Sequence, residues 1–156
     1  MTVQEINEIV LPHIDEPIIN FEIKKQIFFE NNCRKTFNNI IRNNVANKFG
    51  AYVWVDKDTN EIVYIGMAGR IKANGTIGKH TIQNRLLASR GKNKLTKKDI
   101  QTNEYVQDFM INDNIETLKF YIIYSKNAIP PAFIEAILLY EFYKKNNRLP
   151  KLNNSF

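Results

Sequence analysis

Two runs of β-branched and aromatic residues constrain this chain most: Ala51-Tyr52-Val53-Trp54-Val55 and Ile62-Val63-Tyr64-Ile65, separated by Asp56-Lys57-Asp58-Thr59-Asn60. Residues of the first kind suit a pleated, half-buried surface, and the polar connection is turn material, so the segment reads as an antiparallel hairpin. Residues two apart in a strand share a face, which puts Tyr52 with Trp54 and Tyr64 with Ile62. Pairing Tyr52 opposite Tyr64, and Trp54 opposite Ile62, brings both phenols out on one side; a one-residue slip would separate them. Gly50 and Gly66 flank the pair, and glycine weakens a strand unless something must approach closely.

The rest of the chain supplies helices and one more strand. Pro12 and Pro17 confine an early helix to about Val3–Leu11. From Arg34, the residues Phe37, Ile40, Ile41, Val45 and Phe49 recur at helical spacing up to Gly50. A polar, glycine-punctuated connection follows Gly66, then a helix from about Thr81 to Arg90. Gly91-Lys92-Asn93-Lys94 reads as a loop, and Thr96 as the N-cap of a helix holding Ile100, Tyr105, Phe109 and Met110. Thr117–Tyr124 alternates as a third strand, and Pro130-Pro131 opens a helix to about Lys145. The expectation is an α+β domain: a small three-stranded antiparallel sheet flanked by helices (residues 49–156), preceded by a helical extension (residues 1–48).

Charge is distributed unevenly. The net charge is +6, yet residues 1–48 balance six bases against six acids. Residues 67–98 hold nine bases (Arg70, Lys72, Lys79, Arg85, Arg90, Lys92, Lys94, Lys97, Lys98) and no acid. So one-sided a stretch suits a polyanion, since each base facing a phosphate releases condensed counterions. The alternative is a solvated basic loop, and charge alone does not name a reaction. Other classes are disfavoured. The apolar runs fall short of the roughly 20 residues a membrane span needs. The N-terminus carries acids where a signal peptide carries bases. Cys33 has no partner for a disulfide, and His13 and His80 lie too far apart to suggest a zinc site. A cytoplasmic protein away from membranes is expected.

An ordered set of short motifs then emerges: Gly50-Ala51-Tyr52, Tyr64-Ile65-Gly66, Asn84-Arg85-Leu86, Glu135-Ala136-Ile137-Leu138-Leu139 and Pro150-Lys151-Leu152-Asn153. Over about residues 49–154 the chain resembles the GIY-YIG nuclease family. Ala51 replaces the usual apolar β-branched residue, and Met67 stands where many relatives carry lysine. The resemblance implies a metal-dependent phosphodiesterase that cuts DNA. In it Glu135 binds one Mg²⁺ or Mn²⁺, Arg85 neutralises charge on the phosphate, and Tyr64, Tyr52 or His80 handles the proton of the attacking water.

The residue chemistry bears on those roles separately. Arginine's planar fork bonds two phosphate oxygens at once, and no acid lies within a helical turn of Arg85 to claim it. Glu135 stands among apolar residues, where a carboxylate is costly unless paired with a cation or metal. Glu141 lies about 240° further around the helix, beside Lys144 and Lys145, as an exposed ion-pairing residue would. Counting back from Pro150 and Asn153 favours Glu141 and the local spelling favours Glu135; burial decides for Glu135. His80 is apt for moving protons at neutral pH, and Lys72 is the other candidate in that connection. Arg70, Lys79, Arg90, Lys92 and Lys94 are expected on DNA, with Asn153 holding a phosphate or orienting Glu135.

A small nuclease of this kind fits a restriction-type or mobile-element enzyme, with the N-terminal helices contacting bases or forming a homodimer. The rivals are a structure-specific repair nuclease, an RNA-directed nuclease, and a binding module without turnover.

Overall fold

The computed structural model describes residues 1–155. In chain order the elements are α1 (Val3–Val10), β1 (Ile19–Lys24), α2 (Cys33–Asn44), β2 (Gly50–Asp56), β3 (Ile62–Ala68), α3 (Ile82–Leu87), β4 (Ser89–Lys92), β5 (Asp99–Gln101), α4 (Thr102–Asn112), β6 (Thr117–Tyr124) and α5 (Pro131–Asn146). The main sheet is antiparallel, with four strands in the order β1-β6-β2-β3, and β4 and β5 form a separate two-stranded ribbon.

The α+β class expected from the sequence is the class observed, and the sheet is larger than the three strands expected. The added strand comes from residues read as a helical extension: Ile19-Asn20-Phe21-Glu22-Ile23-Lys24 pairs with β6, Phe21 opposite Phe120. Its alternation buries Phe21 and Ile23 against the sheet's core while Asn20 and Lys24 stay exposed.

Each face of the sheet carries helices. On one, Tyr52, Trp54, Phe120 and Ile122 pack against Phe37 and Ile41 of α2, Ile82 and Leu86 of α3, and Val106 and Met110 of α4. On the other, Val53, Ile65, Tyr121 and Ile123 meet Ile6 and Val10 of α1, with Ile134, Leu138 and Phe142 of α5. Full burial of each such side chain contributes about 1.5–3 kcal/mol against the chain's ordering entropy.

The hairpin register differs from the sequence reading. Tyr52 faces Gly66 and Trp54 faces Tyr64, while Val55 pairs with Ile62, so Val63 is an extra residue in β3. This bulge breaks the strict alternation. Ile62 turns to the α5 face, and Val63 and Tyr64 both lie against the cluster containing Tyr52 and Trp54. Relative to the expected pairing the strands are displaced by two residues, an even number, so the two phenols keep a common face.

Three further boundaries move. The Arg34-to-Gly50 helix stops at Asn44, whose side-chain amide donates to the Ile40 carbonyl, 2.9 Å. The helix from Thr81 is only Ile82–Leu87, with Thr81 as its N-cap, and the chain beyond it enters β4. Thr96 caps nothing: α4 begins after Gln101, whose backbone N–H donates to Glu104, 2.8 Å, in a capping box. The strand at Thr117–Tyr124 and the helix opened by Pro131 stand where the sequence places them.

Among the described residues, no helix is long and apolar enough to cross a membrane.

Candidate active site

β3 is an edge strand, and its outer edge is treated differently along its length. Near its start, the Leu152 N–H donates to the Val63 carbonyl, 2.9 Å. The Asn153 side chain then accepts from the Ile65 N–H, 2.9 Å, and donates to the Ile65 carbonyl, 2.7 Å. Covering an exposed strand edge prevents stray pairing. Asn153 is thus a clamp on β3, with both its amide atoms engaged there and not turned to Glu135 or to a free surface. Past Ile65 the cover ends and a cleft opens.

The cleft has a volume of about 600 Å³ and is lined by Tyr64, Met67, Ala68, Gly69, Arg70, Gly78, His80, Arg85, Ala88, Ser89 and Glu135. Residues spread over more than seventy positions converge here: Tyr64 from the edge strand, Arg85 from α3 and Glu135 from α5. Arg70 and His80 enter from the two ends of a small hairpin, closed by the Ile71–Ile77 bridge. Arg70, His80 and Arg85 are exposed; Tyr64 and Glu135 are half-buried.

Burial pushes the Glu135 carboxyl above the ordinary carboxylate range, against the opposing pull of Arg70 and Arg85. Among the described residues it has no ion-pair partner. Glu141 behaves differently: its carboxylate accepts from Lys144, 3.0 Å, away from the cleft lining. Of the two carboxylates, Glu135 is the one in the cleft.

The phenols divide. Tyr64 lines the cleft, and Tyr52 lies behind it, the ring centroids 5.9 Å apart. Tyr52 is fully buried, its hydroxyl has no hydrogen-bond partner of good geometry among the described residues, and burial drives its pKa well up, the neighbouring Tyr64 adding to the shift. A phenol in that state is a poor proton acceptor, and leaving it unsatisfied costs roughly 1–3 kcal/mol. Tyr52 therefore supports Tyr64 and stays out of the cleft.

Gly66 is the space both rings use. A Cβ there would lie 2.6 Å from Tyr64 Cε1, 2.9 Å from Tyr64 Oη and 3.0 Å from Tyr52 Cζ. Two of the three obstructing atoms belong to the half-buried Tyr64 side chain, so Gly66→Ala should fold and displace the Tyr64 phenol. For any reaction that uses the Tyr64 hydroxyl we expect a rate at least about tenfold lower with little change in melting temperature, since displacements of an ångström cost orders of magnitude in rate. Paired melting curves and cleavage rates check this.

Arg90, expected to hold DNA backbone, is occupied otherwise. Its guanidinium sits 4.5 Å from the Tyr64 ring centroid, 4.8 Å from that of Trp54 and 5.0 Å from that of Tyr105. Each cation–π contact is worth roughly 0.5–2 kcal/mol, and together they tie the root of the ribbon to Tyr64. Sequence reasoning missed this box because its members lie in four separate elements. Lys72 lies in the Arg70–Gly78 hairpin, its backbone bonded to Thr76 and Gly75, outside the cleft lining. Lys79, Lys92 and Lys94 are exposed.

Among the described residues no three His, Cys, Asp or Glu side chains cluster as a metal-binding group. One carboxylate nevertheless fits a hard cation such as Mg²⁺, which keeps several of its waters and often takes only one or two protein carboxylates plus substrate phosphate oxygens. Glu135, partly desolvated and without a partner, is the residue present for that role.

No protein-family model matches the chain, and neither the curated proteins nor the solved structures gave a match.

Proposed function

We propose that the protein is a metal-dependent DNA endonuclease of the GIY-YIG kind, hydrolysing phosphodiester bonds in the cleft beside β3. The observation that carries this reading is the half-buried, unpaired carboxylate of Glu135 sharing one hollow with Tyr64, His80, Arg70 and Arg85. An ordinary structural glutamate beside two arginines closes an ion pair; an open carboxylate with two cations held back leaves room for a phosphate and a cation.

In this reading Glu135 holds Mg²⁺ or Mn²⁺, which when bound supplies Lewis-acid polarisation of the phosphate. Arg85 takes non-bridging oxygens through its fork and neutralises the charge that grows on phosphorus. Arg70, on the opposite approach, holds the flanking backbone. Tyr64 Oη orients the attacking water and takes its proton as the phenol passes its own to exposed His80, from which it leaves to solvent. Gly66 and Tyr52 fix where that hydroxyl stands. Cutting both strands of a duplex takes two such clefts, so a homodimer belongs to the same proposal.

Supercoiled plasmid incubated with the protein and Mg²⁺ tests it. The expected result is nicking and linearisation that chelation stops, reduced about 10²-fold or more by Arg85→Ala and only partly restored by Arg85→Lys, which lacks the fork. Plasmid that stays intact, while the protein still binds it, would instead mark a binding module without turnover.

A further inference from the structure

The tip of the β4–β5 ribbon holds an apolar residue where a turn ordinarily carries polar ones. Leu95 is 92% exposed, more than any other large hydrophobic residue of the described chain. The turn that presents it is ordered: the Asn93 side-chain oxygen accepts from the Leu95 N–H, 2.9 Å, and from the Thr96 N–H, 3.0 Å. Across its base the Asn93 N–H donates to the Lys98 carbonyl, 2.8 Å, and the Lys97 N–H to the Asn93 carbonyl, 2.9 Å. Lys92, Lys94, Lys97 and Lys98, all exposed, flank Leu95 in sequence, and the nearest acid is Asp99, paired opposite Lys92 where the turn joins the ribbon. Single exposed leucines are unremarkable on a protein surface. A leucine held by a hydrogen-bonded turn with lysines on both sides in sequence is not a scattered one.

The ribbon also has a direction. Ser89, its first residue, lines the cleft, and Arg90 is seated on Tyr64. At a strand rise near 3.4 Å per residue, Leu95 is no more than about 20 Å from Ser89. That is about six base pairs of duplex, at ~3.4 Å each.

We propose that this ribbon is a DNA-bending arm: Leu95 enters the minor groove and wedges between base pairs while the surrounding lysines hold the flanking phosphates. Apolar side chains used this way unstack a base step and kink the duplex, and the bend lets the protein meet more of the backbone. The proposal rests on DNA being the substrate, and it names the element that shapes that substrate. The kink falls within about six base pairs of the cut.

Ligase-catalysed circularisation of a duplex of ~100 bp, shorter than the persistence length of ~150 bp, reads bending without needing a known site. The whole protein is used without Mg²⁺, and duplex affinity is followed by anisotropy over a salt series. Wild type should raise the circularisation rate at least about tenfold. Leu95→Ala should lose most of that gain and Leu95→Phe, another wedge, should keep it, while the salt dependence of binding stays unchanged in both. Lys94→Ala and Lys97→Ala should each lower the slope of log affinity against log salt by about one.

Equal bending by wild type and Leu95→Ala overturns the wedge. So does capture of vesicles containing anionic phosphatidylserine, through Leu95, in place of duplex. The two proposals fail separately. Bending without cleavage under Mg²⁺ removes the nuclease and keeps the arm; cleavage with no bending removes the arm and keeps the nuclease.

Discussion

Glu135→Gln is expected to abolish the proposed plasmid cleavage, by at least about 10³-fold or some 4 kcal/mol of activation free energy, and to raise thermal stability at neutral pH. The two effects come from one cause. Burial holds the carboxyl of folded Glu135 above its ordinary value of 4.5. The folded state therefore keeps that proton to a higher pH than the unfolded chain does. Stability is fullest below pH 4.5 and declines as pH rises through the folded pKa, because the folded protein must then carry a partly desolvated negative charge. Glutamine has no such charge.

The melting curves of wild type and variant should coincide near pH 4 and separate above it, the variant higher by something on the order of 2 °C. The difference is small because the group is still partly in water and two arginines offset the loss. Mg²⁺ should raise the melting temperature of wild type and leave Glu135→Gln unmoved, by mass action on the folded state alone. Glu141→Gln, whose carboxylate is bound to Lys144 outside the cleft lining, should change cleavage by less than about threefold. A glutamate serving only as a helix-surface residue would show none of these differences.

Gly50→Ala should destabilise the fold by about 3 kcal/mol or more, lowering the melting temperature by roughly 6–12 °C. Gly50 has φ +154°, and a Cβ there would run into the Ile123 carbonyl oxygen while standing 3.0 Å from both Ile123 C and Tyr124 Cα. These are backbone atoms of β6, the strand to which β2 is hydrogen-bonded along its whole length. They cannot move aside without parting the centre of the sheet. Gly66→Ala is the contrast, because there the obstructing atoms are the ends of tyrosine side chains. Urea unfolding of the two variants side by side should separate them: Gly50→Ala shifts the midpoint, and Gly66→Ala loses rate with its midpoint kept.

These two glycines also show what a sequence can reveal. That they permit a close approach was legible from their place beside the strand tyrosines. What approaches was not: a neighbouring carbonyl at Gly50, two phenols at Gly66. The hairpin, the strand at Thr117–Tyr124 and the helix from Pro131 were legible because pattern and turn chemistry agree there. The bulge at Val63 was not, since Ile62-Val63-Tyr64-Ile65 are all good strand formers and nothing punctuates them. β1 was legible but overlooked. Ile19, Phe21 and Ile23 alternate with Asn20, Glu22 and Lys24, a clear period of two masked by the prolines just before it.

The ribbon of β4 and β5 runs largely against propensity, being built from Ser, Arg, Gly, Lys, Asp and Gln with Ile100 its one good strand former. Tertiary contact gives its root a place: Arg90 sits on Trp54, Tyr64 and Tyr105, and the Thr102 N–H and hydroxyl both donate to the Ala88 carbonyl. Asn153, expected on a phosphate or beside Glu135, is bonded to the β3 edge instead. Hydrogen bonds between residues 88 apart in sequence leave no local trace.

Anomalous scattering from a crystal grown with duplex DNA and Mn²⁺ goes straight to the heart of the proposal. One manganese peak bound to the Glu135 carboxylate, with Arg85 on a non-bridging oxygen of the same phosphate and Tyr64 Oη facing it, is the outcome we expect. A peak held by other carboxylates, or DNA lying elsewhere with the Glu135 cleft empty, would show that these residues gather for a different purpose.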